Sequence, residues 1–208
     1  MAKGPVPSLK FERQAWKAGA FWVAGVDEAG AGPLAGPVTA GAVALPPGRR
    51  FKWYRWINDS KVLSEKVRDE LAIEIKGAVP WAVGWVDHGG IDAINIYQAR
   101  KRAMMRALDA LSVCPDAIIS DALPLPLPNV RPVIDGDALS IAVGAASIIA
   151  KTARDALMVQ MCERYPGYNF CHNKGYPTPE HKRLLLARGP CPIHRRSFAP
   201  VAQFGLAL

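Results

Sequence analysis

None of the four cysteines, Cys114, Cys162, Cys171 and Cys191, stands in a C-x-x-C pair, and no group of them has the spacing of a zinc site. That argues against a metal-stapled or redox-motif protein, and the thiols read as reduced, in a cytosolic chain. His172, His181 and His194 also lack metal-ligand spacing and are expected to be structural or rim residues. No apolar h-region precedes Asp27, so no secretory leader is expected, although Lys3 and Lys10 would suit one. Internal repeats and low-complexity blocks are missing too, apart from the Leu-Pro alternation of Leu123 to Pro128. Acid is in short supply: 18 Asp and Glu face 26 Lys and Arg, a net charge of +8. This imbalance favours a polyanionic partner, although an anionic membrane or plain solubility would give the same sign. Ala29 to Pro47 lacks charge altogether, and a hydropathy window would flag it as a membrane span. Gly30, Gly32, Pro33, Gly36, Pro37, Gly41, Pro46 and Pro47 suit a turn and a strand instead, so no membrane association is expected.

The 208 residues, half of them hydrophobic, suffice for one globular domain with a full core. Residues 1–20 read as a polar lead-in of undetermined order, and 21–208 as the domain itself, including a C-terminal helical region. Strands are predicted at Phe21 to Asp27, Val38 to Leu45, Trp81 to Val86, Ala117 to Ser120 and Val130 to Ile134. A helix opens at the N-cap Ser64 and runs to about Lys76, with Val67, Leu71 and Ile75 at helical spacing. Others are predicted from Asp92 to Leu111, from Leu139 or Ser140 to about Arg164, and from Pro177-Thr178-Pro179-Glu180 to Ala187. The order β-β-α-β-α-β-β-α-α indicates an α/β domain with a mixed sheet. Arg49 to Trp56 mixes bases with Phe51, Trp53, Tyr54 and Trp56, which suits a surface rim or a nucleic-acid face.

Four acids follow predicted strand ends. Asp27 and Glu28 follow the first strand, Asp121 follows Ile118-Ile119-Ser120, and Asp137 follows Val133-Ile134. On a regular strand adjacent side chains point to opposite faces, so Asp27 and Glu28 share a site only at a strand end or bulge. Ligand sites of open α/β sheets lie at such carboxyl ends. Oxygen donors gathered there suit Mg²⁺ or Mn²⁺, and two such ions activate a water against a phosphodiester. Solvated loop acids, a salt bridge at Asp121 and a turn at Asp135-Gly136 are the plainer alternatives.

Several segments in order carry a more specific signal. They are Gly25-Val26-Asp27-Glu28-Ala29-Gly30, Asn58-Asp59-Ser60-Lys61 with Leu63-Ser64-Glu65-Lys66, and Ser147-Ile148-Ile149-Ala150-Lys151 with Arg154-Asp155. Lys174-Gly175-Tyr176-Pro177-Thr178 with His181, and His194-Arg195-Arg196-Ser197-Phe198, complete the set. From about Phe21 to Val201 the chain resembles the bacterial ribonuclease HII (type 2 ribonuclease H) family. The resemblance implies a ribonuclease H-like mixed sheet flanked by helices, with a C-terminal helical extension, and Asp27, Glu28, Asp121 and Asp137 as catalytic ligands of Mg²⁺ or Mn²⁺. It implies hydrolysis of the RNA strand of RNA–DNA hybrids and nicking of duplex DNA at embedded ribonucleotides, leaving 3′-hydroxyl and 5′-phosphate ends. Separately, the chain is expected to be cytoplasmic and monomeric. Asp155, also in a matching position, reads as an ion-pair partner of Arg154 or Lys151 within a helix.

Lys61, Lys151, Lys174, Arg195 and Arg196 are candidate phosphate contacts, which position a duplex without reading its sequence. Ser147, in a matching segment, joins the candidate substrate contacts. Tyr176 is a candidate for stacking on a sugar or base, and the main chain at Gly30-Ala31-Gly32 for contacting the 2′-hydroxyl that separates RNA from DNA. Two departures stand out: Ala31 replaces the arginine of the family's usual Gly-Arg-Gly, and Asp135 sits where a lysine is common. Gly30 to Ala35 also fits the G-x-G-x-x-A dinucleotide fingerprint, but Gly36-Pro37 would interrupt the helix that motif must open. A non-catalytic hybrid-binding protein would suit the charge and leave the four acids without a purpose.

Overall fold

The apolar run ahead of Asp27 becomes strand β1 (Val23–Ala29) in the computed structural model of the chain, which describes residues 6–57 and 63–205. It is the middle strand of five. Strand β2 (Val38–Leu45) lies antiparallel to it, and β3 (Trp81–Val86) lies antiparallel beyond β2. On the other side β4 (Ala117–Asp121) and β5 (Val130–Val133) run parallel to β1, giving the order β3-β2-β1-β4-β5. The mixed sheet is the expected one, with one difference that matters. β1 does not stop at the acids; Asp27 pairs with Gly41 and Glu28 with Ala40 in an unbroken ladder.

Eight α-helices surround the sheet among the described residues. They are α1 (Lys10–Lys17), α2 (Glu65–Ala78), α3 (His88–Asp109), α4 (Gly136–Leu139), α5 (Ile141–Arg164), α6 (Phe170–Asn173), α7 (Pro179–Arg188) and α8 (Ala199–Ala202). Side-chain caps set several of their starts. Ser64 accepts from the Val67 amide, Ser140 from Val143 and Thr178 from His181, satisfying donors that a first helical turn leaves open. Asp87 caps α3 at Gly90, so this helix begins four residues before the predicted Asp92. Asn95 (φ 64°) breaks α3 and accepts from the Gln98 amide, starting the second segment.

The strand period of two divides the core. Ala24 and Val26 pack with Ile91, Ala99, Ala103 and Met104 of α3. Val23 turns to the opposite face, against Ile119 and Val143 of α5. There α5 lies almost on the backbone: a methyl added to Gly25 would sit 2.1 Å from the Ala142 carbonyl carbon, and one on Gly41 2.3 Å from the Ala146 oxygen. Only glycine at these positions lets α5 pass so close, which brings its Ser147 under the end of β1.

The N-terminal residues are ordered in a way composition alone does not indicate. The α1 residue Glu12 is fully buried and accepts hydrogen bonds from Ser140 Oγ (2.7 Å) and the Ala142 amide (2.8 Å), fixing the start of α5. The thiols also need correction. Cys162 and Cys171 form a disulfide that joins α5 to α6, whereas Cys114 and Cys191 are free. A nine-residue separation with no recognisable motif gives no sign of that pairing. Among the described residues no helix is long and apolar enough to cross a membrane, and the charge-free stretch 29–47 is loop and strand.

Candidate active site

The β1–β4 ladder ends with Val26 opposite Ser120, so Asp27 and Asp121 are the next residues along two neighbouring parallel strands. Asp137 lies in α4, directly behind Asp121, whose Oδ1 accepts from the Gly136 amide at 2.8 Å. Glu28 alternates to the α3 face, where its Oε1 accepts from Arg100 Nε at 2.6 Å. Asp27, Glu28 and Asp121 line a cleft of about 510 Å³ with Ala29, Gly30, Ala31, Gly32, Arg68, Ser147, Lys151 and Tyr176. Asp137, only 6% exposed, stands beside that lining rather than on it.

The charges meet even though the side chains leave β1 on opposite faces. The Asp27 carboxyl is pushed well above the usual range, first by burial and then by the negative charges of Glu28, Asp121 and Asp137; a hydrogen bond from Ser147 opposes this. Burial also raises Glu28, while the Arg100 guanidinium pulls the other way and Asp121 adds to the rise. Glu28 Oε2 is buried with no hydrogen-bond partner among the described residues. Three or more His, Cys, Asp or Glu side chains already grouped as metal ligands do not occur among the described residues. The reason is visible in the partners: Arg100 holds Glu28 aside, Gly136 holds Asp121, and the Glu28 amide donates to Asp27 Oδ1 at 2.6 Å.

The predicted substrate contacts divide into four groups, of which buried Arg195 is one by itself. Gly30, Ala31, Gly32, Ser147, Lys151 and Tyr176 share the cleft with the acids. Lys151 donates to Asp155 at 2.8 Å and lies 5.1 Å over the Tyr176 ring, so the ion pair expected for Asp155 is made with Lys151 rather than Arg154. Lys174 and Arg196 lie off the cleft lining: Lys174 donates to the Cys171 carbonyl and faces Glu65 at 3.6 Å, while Arg196 is exposed with its amide tied to Asp92 at 2.8 Å. Lys61 falls outside the described residues.

Arg195 has a different task from the phosphate contact expected of it. It is completely buried and donates to the carbonyls of Gly30 (2.6 Å), Ala31 (2.9 Å), Gly36 (3.0 Å) and Pro37 (3.1 Å). Burial and the neighbouring Arg154 charge lower it to about 9, so it remains charged at neutral pH. Arg154, equally buried, donates to Pro37, Ala35 and Lys174 carbonyls. The two guanidiniums clamp the 30–37 loop from behind, a use to which the rigid donor fork of arginine is suited. Two of the three predicted structural histidines are buried as well. His194 Nε2 meets His181 Nε2 at 3.1 Å, and His181 Nδ1 lies 2.8 Å from the Tyr176 carbonyl, tying the C-terminal region to the cleft wall. Asp135 is exposed, in a left-handed turn with φ 55°. The G-x-G-x-x-A stretch opens no helix; it links β1 to antiparallel β2, which removes the dinucleotide reading.

Carboxylates at the carboxyl ends of neighbouring strands in a β3-β2-β1-β4-β5 sheet, with a long helix crossing beneath them, define a ribonuclease H-like hydrolase. The family model described as Ribonuclease HII matches residues 24–201. A Ribonuclease HII of Anaeromyxobacter sp. (strain Fw109-5) is 51% identical over 204 residues, which cover 96% of this chain and 64% of that relative. One of Moorella thermoacetica is 49% identical over 192 residues, covering 90% of this chain and 91% of that protein. Among solved structures, ribonuclease H2 from Pyrococcus horikoshii OT3 superposes with a TM-score of 0.75 at 28% identity, covering 88% of this chain and 96% of that one. Bst-RNase HIII in complex with Mn²⁺ shares the fold at a TM-score of 0.67 and 21% identity, over 93% of this chain and 72% of that one. The chain belongs to the ribonuclease HII family. It is an endoribonuclease, a hydrolase that degrades the RNA strand of RNA–DNA hybrids.

Proposed function

We propose that this ribonuclease works through Mg²⁺ or Mn²⁺ held by Asp27, Glu28, Asp121 and Asp137, and that it also nicks duplex DNA at embedded single ribonucleotides, leaving 3′-hydroxyl and 5′-phosphate ends. The observation that carries the reading is the Asp27 carboxyl, raised first by its burial and then by three other carboxylates that approach it from β1, β4 and α4. A carboxylate buried to 4% exposure among like charges is costly alone and is relieved by a cation. The donor set is all carboxylate oxygen, which suits hard divalent ions, and the unpartnered Glu28 Oε2 is an acceptor without a donor. Bound there, the metal supplies an activated water and neutralises charge developing on the phosphodiester.

The remaining steps belong to the chain. Ser147, Arg100 and the Gly136 amide each hydrogen-bond one acid, orienting Asp27, Glu28 and Asp121 respectively. Lys151, restrained by Asp155, meets a phosphate oxygen, and the Tyr176 ring beside it stacks on the sugar or base at the ribonucleotide. Because the Gly30 and Ala31 carbonyls are turned into Arg195, contact with the 2′-hydroxyl falls to other main-chain groups of this loop. Ala31 has no side chain that grips phosphate, so recognition of the junction rests on that backbone. The enzyme acts in the cytoplasm as a monomer. The test is cleavage of two substrates in parallel, a long hybrid and a DNA duplex with one ribonucleotide, each in Mg²⁺, Mn²⁺ and chelator. Cutting of both in metal and neither in chelator is expected; full activity in chelator would overturn the mechanism.

A further inference from the structure

Between β2 and α2 the segment 49–57 carries four cations, Arg49, Arg50, Lys52 and Arg55, and no acid. Its end, Lys52–Trp56, is a 3-10 turn lying against α1. Together they enclose a groove of about 310 Å³, lined by Arg13 from α1, by Arg50, Lys52 and Arg55, and by the faces of Phe51 and Tyr54. All four basic residues of the lining are exposed, and among the described residues none of them is in an ion pair. Below them the wall is rigid: Trp53 is buried, with the Phe51 ring stacked 5.5 Å from it and the Tyr54 ring edge-on at 4.6 Å.

The segment that lines the groove runs on to the helix that carries Ser147. Ile57, two residues past Arg55, packs against Gly144 of α5; a methyl added to that glycine would meet Ile57 Cγ2 at 2.6 Å and the Asp137 carbonyl oxygen at 2.9 Å. The buried Ile57 thus links the end of the basic segment to the main chain at Asp137, and none of the groove's residues lines the acidic cleft. We infer that Arg13, Arg50, Lys52 and Arg55 form a second grip on the phosphodiester backbone of the bound duplex, beyond the scissile position. This rests on the hybrid-cleaving activity and adds a binding surface outside the cleft.

Binding is measured in chelator, so that no cleavage occurs, using a fluorescent RNA–DNA hybrid at several salt concentrations. The variant Arg50→Gln/Lys52→Gln/Arg55→Gln is compared with wild type and with a control of equal charge, Lys17→Gln/Lys76→Gln/Arg102→Gln. Removing one cation that neutralises a phosphate lowers the slope of log affinity against log salt by about 0.9, so removing three lowers it by roughly 2–3 and weakens binding at least about tenfold at low salt. The control should keep the wild-type slope to within about 0.9. An unchanged slope in the groove variant, or an equal fall in the control, would overturn the proposal. Cleavage of the same hybrid by wild type in Mn²⁺ is the separate arm; its failure would indict the assigned mechanism, not the groove.

Discussion

Replacing Asp27 with asparagine should abolish activity and at the same time stabilise the protein in the absence of metal. Neighbouring strands lie about 4.8 Å apart, which puts carboxylates one step past the Val26–Ser120 pair at roughly 5–6 Å from each other. At an effective dielectric of ~20, two like charges at that distance repel by about 3 kcal/mol. The Ser147 hydrogen bond returns part of this, so a net gain of about 1–2 kcal/mol is expected on removing the Asp27 charge. In a chain of 208 residues that corresponds to a Tm increase of about 3–6 °C. The pH dependence has a definite sign. A carboxyl raised by folding binds its proton more tightly in the native state, so wild type loses stability as pH rises through the raised value, and the asparagine variant lacks that loss. Calorimetry in chelator from acid to neutral pH should show the two curves diverging toward neutrality. Millimolar Mn²⁺ should then stabilise wild type more than the variant, since only the intact cluster binds it fully. Cleavage in metal should fall by at least about 10²-fold, as the barrier loses several kcal/mol of charge stabilisation. A variant that is no more stable in chelator, or that still cuts at the wild-type rate, would refute the reasoning.

Two further outcomes follow from the buried network. Arg195→Met leaves carbonyls of Gly30, Ala31, Gly36 and Pro37 without their donor, and should cost about 3–5 kcal/mol in urea unfolding, with Arg195→Lys intermediate; a loss below about 1 kcal/mol would mean the clamp is unimportant. His194, lowered to about 4 by burial and by the nearby His181, should stay neutral in NMR titration until far below the usual imidazole range. Its contribution to stability is complete above the unfolded-state value near 6.5 and is lost as pH falls toward about 4. A midpoint at 6.5 would contradict the buried histidine pair.

Much of this architecture was legible in residue order because it depends on local chemistry. Val38–Leu45 and Trp81–Val86 are bounded by Pro46-Pro47 and Pro80, and Ser64 and Thr178 cap the helices they precede. The position of acids after apolar runs was enough to suggest their convergence at strand ends. What escaped depends on contacts between distant segments. The end of β1 was misread because glycines after Asp27 suggest a break, yet the antiparallel ladder to β2 carries the strand through Ala29. Arg100 lies 72 positions from Glu28, and nothing in α3's periodicity marks it as a partner. Arg195 looked like a phosphate ligand because it sits in a basic pair; only the return of the C-terminal segment behind the 30–37 loop turns it inward. Polarity concealed α1, whose essential contact is one buried carboxylate, Glu12, at the start of α5.

Crystals soaked in Mn²⁺ and measured at the manganese absorption edge test the four-acid centre most directly. The account predicts anomalous density among Asp27, Glu28, Asp121 and Asp137, with carboxylate oxygens at roughly 2.0–2.3 Å from the ion and Glu28 drawn away from Arg100. Saturating Mn²⁺ with no anomalous peak between β1, β4 and α4 would contradict it.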